Sequence, residues 1–438
     1  MAGTRAQLCA LNDILWGRRT VPGPTVRWPD TIMLYKQTVL LSSVTFLGLT
    51  AYIMRLEQLY LMAALLAFVG VGSYAICVFS LRGLEVRRGP TRKASEGEWF
   101  DLSLTLTNRS RTPKVFIGLE ETLPRWLEAD GETRFAVPML LPGRSVELSL
   151  RVRGAKRGAY ALGPLAVSAT DLLGAFSVER RLEAPQEVII YPLPARVAPE
   201  PLAGLRSFGG VETEQLSAAG TGLEFYGIRD YRPGDALRRI HWPSTARLGH
   251  FAVVEFEETF GADVVIVVDL RRGSEFGSGK ETTLETAIKA AASLAAFAVE
   301  NGAAAVVVGQ DAQRRYLASA RRAEELAAVL EALARMTADG EKPLSEVMRG
   351  ADELVAGKWA VVLTAAPEEA VTAAVEAWVQ RQAQVVAALL DAASWEAESG
   401  VNVYDARRGL ASAGARVEIF RRGDEVEQFL GRAVSDAA

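Results

Sequence analysis

The chain has 438 residues, 49% hydrophobic and 23% charged, which is enough for a membrane anchor and two soluble domains. Lys and Arg number 49 against 53 Asp and Glu, a formal net charge of -4, so no global basic field exists to hold nucleic acid. With Cys9 and Cys77 as its 2 cysteines, it can assemble neither a disulfide framework nor a cysteine zinc site, which points to a reducing compartment for the soluble part.

Residues 1–36 read as a cytoplasmic N-terminal segment. Asp13 interrupts its apolar stretch and no small-residue cleavage pattern follows, so no cleaved signal peptide is expected. Residues 37–54 and 59–80 hold no charged side chain, and each run is about as long as a helix needs to cross ~30 Å of hydrocarbon. They predict two transmembrane helices, because a buried hairpin of a soluble core would keep a polar stripe for solvent. Arg5, Arg18, Arg19, Arg27 and Lys36 precede the spans, and Arg82, Arg87, Arg88, Arg92 and Lys93 follow them. The positive-inside bias predicts a multi-pass cell-membrane protein with both termini and the soluble domains cytoplasmic. Neither span carries an ionisable residue, which suits an anchor rather than a transporter.

From Leu84 to about Val197 the periodicity is two, as in Trp99 to Thr107 and Ser145 to Val152. Turn signals at Asn108-Arg109-Ser110, Ala129-Asp130-Gly131, Pro142-Gly143 and Leu162-Gly163-Pro164 divide the strands. That pattern predicts an antiparallel, Ig-like β-sandwich of roughly seven strands over residues 84–197. Glu120, Glu121, Glu128 and Asp130 have no evident partner in the sequence and read as a solvated rim.

Residues 198–260 form a linker with a segment dense in charge and aromatics, Thr221 to Gly249. Its candidate residues are Glu224, Tyr226, Arg229, Asp230, Tyr231, Arg232, Gly234, Asp235, Arg238, His241, Trp242 and Arg247. Pro233-Gly234 supplies a tight turn and Asp235 a helix cap, while the arginines suit planar pairs with Glu224, Asp230 and Asp235 or with a partner's carboxylate or phosphate. Two readings stay open: an internal ion-pair and aromatic lock, and a docking surface for another protein.

From Ala262 strands and helices alternate. Val264 to Val268 is a continuous apolar run between Asp263 and Asp269, the mark of a strand buried on both faces. Thr282 is the predicted N-cap of a helix, with Glu285 as its capping-box partner and Asn301-Gly302 as its end. Strands 304–308, 315–318, 359–364, 385–390 and 416–420 follow, with helices 323–336, 368–380 and 424–430. Alternation of this kind predicts a mostly parallel sheet covered on both faces over residues 261–438, with ligands at the carboxyl ends of its strands.

The Arg-rich segment resembles the signature of the family known as domain of unknown function 58, membrane proteins found beside MoxR-type AAA+ ATPases. The resemblance also rests on the paired spans, Arg157 to Pro164, Asp171 to Phe176 and Tyr191-Pro192. Leu172, Leu173 and Pro243 depart from it, standing where the family tends to have Pro, Phe and a basic residue. The resemblance implies that the α/β part is a von Willebrand factor A-like domain. It also implies a MoxR-type ATPase as partner, in assembling or remodelling protein complexes around a client it does not identify.

Adhesive domains of that kind bind a divalent ion with an Asp-x-Ser-x-Ser loop. The loop here, Asp269-Leu270-Arg271-Arg272-Gly273, keeps the Asp and loses both hydroxyls, and Thr364 is followed by Ala365-Ala366. Too few oxygen ligands remain for a metal, so no metal and no cofactor is expected. Arg271 and Arg272 instead offer fixed charge to an acidic ligand, unless they merely pair with Asp269 or Glu275. Gly273 to Lys280 tempts a phosphate-loop reading, but the spacing is off by one and Glu281 stands where Ser or Thr belongs. His241 and His250 lack a nucleophile motif, so no enzyme activity is expected. Besides the ATPase-linked interaction module, two readings remain, a membrane scaffold working without an ATPase and an anion-dependent hydrolase.

Overall fold

The structure is a computed structural model that describes residues 30–171, 174–195, 225–230, 242, 245, 247, 250–256, 263–397 and 399–427. The chain divides into two compact units between Ile190 and Tyr191.

In the first unit, α1 (Asp30–Met54) and α2 (Glu57–Ser80) form a hairpin whose turn is made at Arg55, with a φ of 54°. Leu40 lies so near Gly70 that a Cβ there would meet it at 2.8 Å, so glycine permits the close helix crossing. Leu41 and Phe68 are 70% and 74% exposed, and the described residues do not cover the apolar faces as they would in a soluble core. Both helices are long and apolar enough to cross a membrane.

The β-rich part of this unit contains β1 (Leu84–Arg88), β2 (Arg92–Ser95), β3 (Trp99–Asn108), β4 (Lys114–Glu120), β5 (Leu127–Ala129) and β6 (Arg134–Leu140). These are followed by β7 (Ser145–Gly154), β8 (Gly158–Leu162), β9 (Leu165–Thr170), β10 (Ser177–Leu182) and β11 (Gln186–Tyr191). Two antiparallel sheets, ordered β1-β3-β7-β5 and β10-β9-β4-β6, share one core of Leu104, Leu106, Leu148 and Leu150 with Ile117, Leu119 and Val167. A smaller sheet is ordered β2-β11-β8. Among the described residues eleven strands therefore stand where about seven were expected, because β2 and β5 are too short to show a period and β8, Gly158–Leu162, has no polar residue to alternate. The acids read as an unpartnered rim each face an arginine: Glu120 meets Arg134, Glu128 meets Arg153, Asp130 meets Arg151, and Glu121 is buried against Arg88.

The inside-outside alternation slips in β4 and β6 together. Burial follows at Lys114, Ile117 and Leu119, and at Phe135, Val137 and Leu140. Phe116 and Pro138 fall between the pairs Val115–Met139 and Ile117–Val137. Phe116 has a φ of 50°, a conformation rare for a bulky side chain, and Pro138 donates no hydrogen bond to the ladder. Beyond the slip Lys114 turns inward, and its Nζ donates to the carbonyl of Phe79 in the last turn of α2 at 2.6 Å.

In the second unit a hairpin of β12 (Phe225–Asp230) and β13 (Ala252–Phe256) pairs Asp230 with Ala252. The remaining strands are β14 (Val264–Val268), β15 (Gly277–Ser278), β16 (Glu281–Thr282), β17 (Ala305–Gln310), β18 (Arg315–Ala320), β19 (Trp359–Thr364), β20 (Gln384–Leu390) and β21 (Arg416–Phe420). Six of them form one sheet, ordered β18-β17-β14-β19-β20-β21, parallel except for the edge strand β18. Val264, Ile266 and Val268 face a core built with α3 (Thr283–Glu300) and α4 (Ala323–Arg335). Val265 and Val267 face the opposite core. That core is covered by α5 (Leu344–Arg349), α6 (Asp352–Val355), α7 (Glu369–Gln380) and α9 (Val403–Ser412), while the short α8 (Ala392–Trp395) follows β20. The expected cap of α3 is present, with Thr282 Oγ1 accepting from Glu285 N at 3.2 Å.

Candidate functional site

The carboxyl end of β14 meets that of β19 in a small polar cluster. Asp269 follows β14 directly, and its N–H donates to Leu363 O at 3.0 Å, which carries its side chain to the rim of the sheet while leaving the residue only 6% exposed. Thr364 Oγ1 donates to Asp269 Oδ2 at 2.7 Å and accepts from Ala366 N at 3.1 Å. Arg271 N donates to Asp269 Oδ1 at 3.1 Å. Burial lifts the Asp269 carboxyl above the ordinary carboxylate range, against the pull of Thr364 and of the Arg271 amide and charge.

The guanidinium of Arg271 lies among these oxygens. It pairs with Glu368, donates to Ala366 O at 2.6 Å and stands 3.9 Å from Asp269 Oδ2. Glu368 is at the N-cap of α7, where an acid commonly accepts from its own helix; here it makes no cap bond and serves Arg271 instead. The backbone of the loop is fixed by Gly340, whose N–H donates to Leu270 O and whose O accepts from Arg272 N, both at 2.8 Å. A Cβ on Gly340 would meet Gln310 O at 2.5 Å and Leu270 O at 2.9 Å, so only glycine fits.

A hard cation needs several oxygens around one point, and Asp269, Thr364, Glu368 and the Ala366 carbonyl supply those of the described residues here. The positive charge of Arg271 already stands among them, so the residues do not fit a metal ion. Chemically, the cluster orders a loop by charge and hydrogen bonding. The run Gly273 to Lys280 leads into a small hairpin, β15 within it against β16 just beyond it, and positive φ at Gly273, Gly277 and Gly279 serves turns rather than a phosphate cradle.

Of the residues singled out in the sequence, Asp269 and Arg271 are brought together and Arg272 is exposed beside them. Of the two acids weighed as partners for these arginines, Asp269 stands 3.9 Å from Arg271, and Arg272 is left exposed. Arg271 turns inward, to Glu368 and not to Glu275. Tyr226, Arg229 and Asp230 lie on β12. Trp242 is exposed and meets Phe251 edge-on at 6.4 Å, and Arg247 is exposed. Glu224, Tyr231, Arg232, Gly234, Asp235, Arg238 and His241 lie outside the described residues. Sequence reasoning missed Glu368, since it looked for an acid immediately after Thr364. The available signal was an acid at a helix N-cap at the carboxyl edge of the sheet.

Residues 227–388 match the family model for the protein of unknown function DUF58. That stretch runs from β12 into β20 and contains Asp269, Arg271, Gly340, Thr364 and Glu368. The chain is also similar to the uncharacterized protein YeaD of Bacillus subtilis (strain 168), at 22% identity over 294 residues, covering 65% of this chain and 70% of that protein. Among solved structures, a quarter of the chain, 25%, overlies 7% of the E. coli alpha-2-macroglobulin chain in its native conformation, at 21% identity and a TM-score of 0.21. A non-cellulosomal cohesin from Archaeoglobus fulgidus is matched over 24% of this chain and 90% of that one, at 13% identity and a TM-score of 0.17. Overlaps so partial carry no argument.

Proposed function

We propose that this chain is a membrane-anchored protein-interaction module, not an enzyme, whose α/β unit is a von Willebrand factor A-like domain working without a metal. The observation that carries the reading is the Arg271 guanidinium set against Asp269 and Glu368 at the rim where such sheets meet their ligands. Counted from β14, the strand order 3-2-1-4-5-6 with its single antiparallel edge supports the domain assignment. Arg271 and Gly273 occupy the two hydroxyl positions of the adhesive metal loop, so the internal cation stands in for the ion. The Ig-like sandwich belongs to the same proposal. A MoxR-type AAA+ ATPase as partner follows from the family resemblance alone, which is an associational warrant.

The basic residues flanking the helix pair support an orientation with both ends in the cytoplasm, where such an ATPase has its nucleotide. Co-purification of the full chain in mild detergent, with and without chelator, tests the module. The ATPase should be recovered equally in both. Recovery lost in chelator, while the ATPase itself stays assembled in the same buffer, would return a metal to the site, and a complex lacking the ATPase would favour a scaffold. Nucleotide hydrolysis by the purified chain alone would establish the hydrolase reading instead.

A further inference from the structure

The geometry points to a second membrane contact: the end of the sandwich around the exit of α2 lies within the headgroup layer and takes anionic phospholipid through a basic and apolar rim. The inference rests on the reading that α1 and α2 span a bilayer.

The sandwich is seated on the helices rather than hung from them. Gln37 Nε2 of α1 donates to Ala175 O at 2.9 Å, and Cys77 Sγ of α2 lies 3.5 Å from Phe176 O. Tyr74 packs edge-on against Phe176 at 5.9 Å. The turn that makes these contacts is held by Asp171, whose Oδ1 accepts from Ala175 N and Phe176 N, both at 2.8 Å. Tyr74 is six residues before the end of α2, about 9 Å along the helix. A headgroup layer is roughly 5–8 Å thick on each side of the hydrocarbon. A turn reaching back past the helix end thus draws the neighbouring loops into that layer.

Those loops are fixed by the same helix end. Arg109 N donates to Gly83 O at 2.8 Å, Asn108 N to Arg144 O at 3.0 Å, and Gly143 N to Asn108 O at 2.8 Å. Arg82, Arg109, Arg111 and Arg144 are all exposed there. Arg82 lies over the Phe79 ring at 4.8 Å and Arg109 pairs with Glu85, while Arg111 and Arg144 have no acidic partner among the described residues. Beside them Leu141 is 44% exposed and Met139 46%. Leu140 between them is buried opposite Lys114, whose ammonium reaches the helix end. Exposed arginines that alternate with an apolar edge suit an anionic interface, where each basic residue gains from the surface potential and the apolar side chains leave water.

Depth measurements on the full chain in nanodiscs test this. With Cys9 and Cys77 replaced by alanine, single variants Val71→Cys, Leu141→Cys and Glu132→Cys carry an environment-sensitive fluorophore, and lipid-borne quenchers are placed at headgroup or deep acyl level. Glu132 precedes β6 at the end opposite Leu141 and serves as the aqueous reference. The Leu141 probe should be quenched at headgroup level, the Val71 probe at deep level and the Glu132 probe by neither. A Leu141 probe that behaves like Glu132 while Val71 is quenched overturns this inference and leaves the anchor standing. An unquenched Val71 probe overturns the anchor, and this inference with it. Arg82, Arg109, Arg111 and Arg144 changed together to glutamine should lower co-purified phosphatidylglycerol relative to phosphatidylcholine, by on the order of fivefold for each engaged arginine. An unchanged ratio overturns the anionic preference.

Discussion

Arg88 and Glu121 form an ion pair sealed inside the sandwich, Nη2 to Oε1 at 3.0 Å, with 3% and 2% of their side chains exposed. Arg88 Nη2 also donates to Gly163 O at 2.8 Å, and its Nε has no partner among the described residues. Burial raises the Glu121 carboxyl even beside this guanidinium, a sign of how strongly water is excluded. Glu121→Ala would strand the arginine, and the expected loss is on the order of 3 kcal/mol. Hydrogen exchange read on peptides covering β1 and β4 should show markedly faster opening. Unchanged protection would mean that water reaches the pair.

Asp269 makes the stability of the α/β unit depend on pH in a definite direction. Its carboxyl titrates higher folded than unfolded, so its contribution is full below about pH 4 and is lost as pH rises through the raised value. Asp269→Asn removes that dependence and keeps an acceptor for the Arg271 amide. The melting temperature of the variant minus that of the native chain should become more positive from about pH 4 to neutrality. A flat or falling difference would show that the carboxylate is stabilised as an ion.

Arg271→Ser should turn an internal cation into a vacancy lined by oxygen. Asp269, Thr364, Glu368 and the new hydroxyl are the kind of donors that magnesium or manganese takes. Calorimetric titration should give metal-dependent heat in the variant and none in the native chain. Matching traces from the two proteins would sink the idea that the guanidinium holds the place of an ion.

Gly340→Ala places a methyl group against two backbone carbonyls that cannot rotate away. Overpacking of this kind costs about 1–3 kcal/mol, and it should loosen the bond between Arg272 N and Gly340 O. Thermal unfolding followed by tryptophan fluorescence, with limited proteolysis after Arg271 or Arg272, checks both consequences. A fully stable, uncleaved variant would mean that the two backbone segments part more readily than their spacing suggests.

Much of the α/β unit could be read from the sequence because its signals are local. The run at Val264–Val268 is bounded by acids, the strands Trp359–Thr364 and Arg416–Phe420 agree with the reading at both ends, and Thr282 caps α3 as its spacing implies. The pair Arg271 and Glu368 was not legible, for its members are 97 residues apart and only the meeting of β14 with β19 brings them together. The hairpin of β12 and β13 escaped notice because Gly227 interrupts its period and a register shift follows Phe225. α9 was hidden by a polar composition with few buried positions, Val403 and Leu410. The inward turn of Lys114 depends on a backbone twist at Phe116 that no residue pattern announces.

The pairing of Asp230 with Ala252 has a consequence for how this protein can be altered. The chain leaves β12 at Asp230 and enters β13 at its paired partner Ala252, so the ladder, and not the length of chain between them, sets the separation of these two points. Closure entropy changes slowly with loop length, about 0.6 kcal/mol per doubling, so the scaffold can bear insertions, deletions or exchange there at little thermodynamic penalty. The part of the Arg-rich segment after Asp230 is thus an interchangeable cassette: one graft between paired backbone positions moves it, while Tyr226, Arg229 and Asp230 stay with β12.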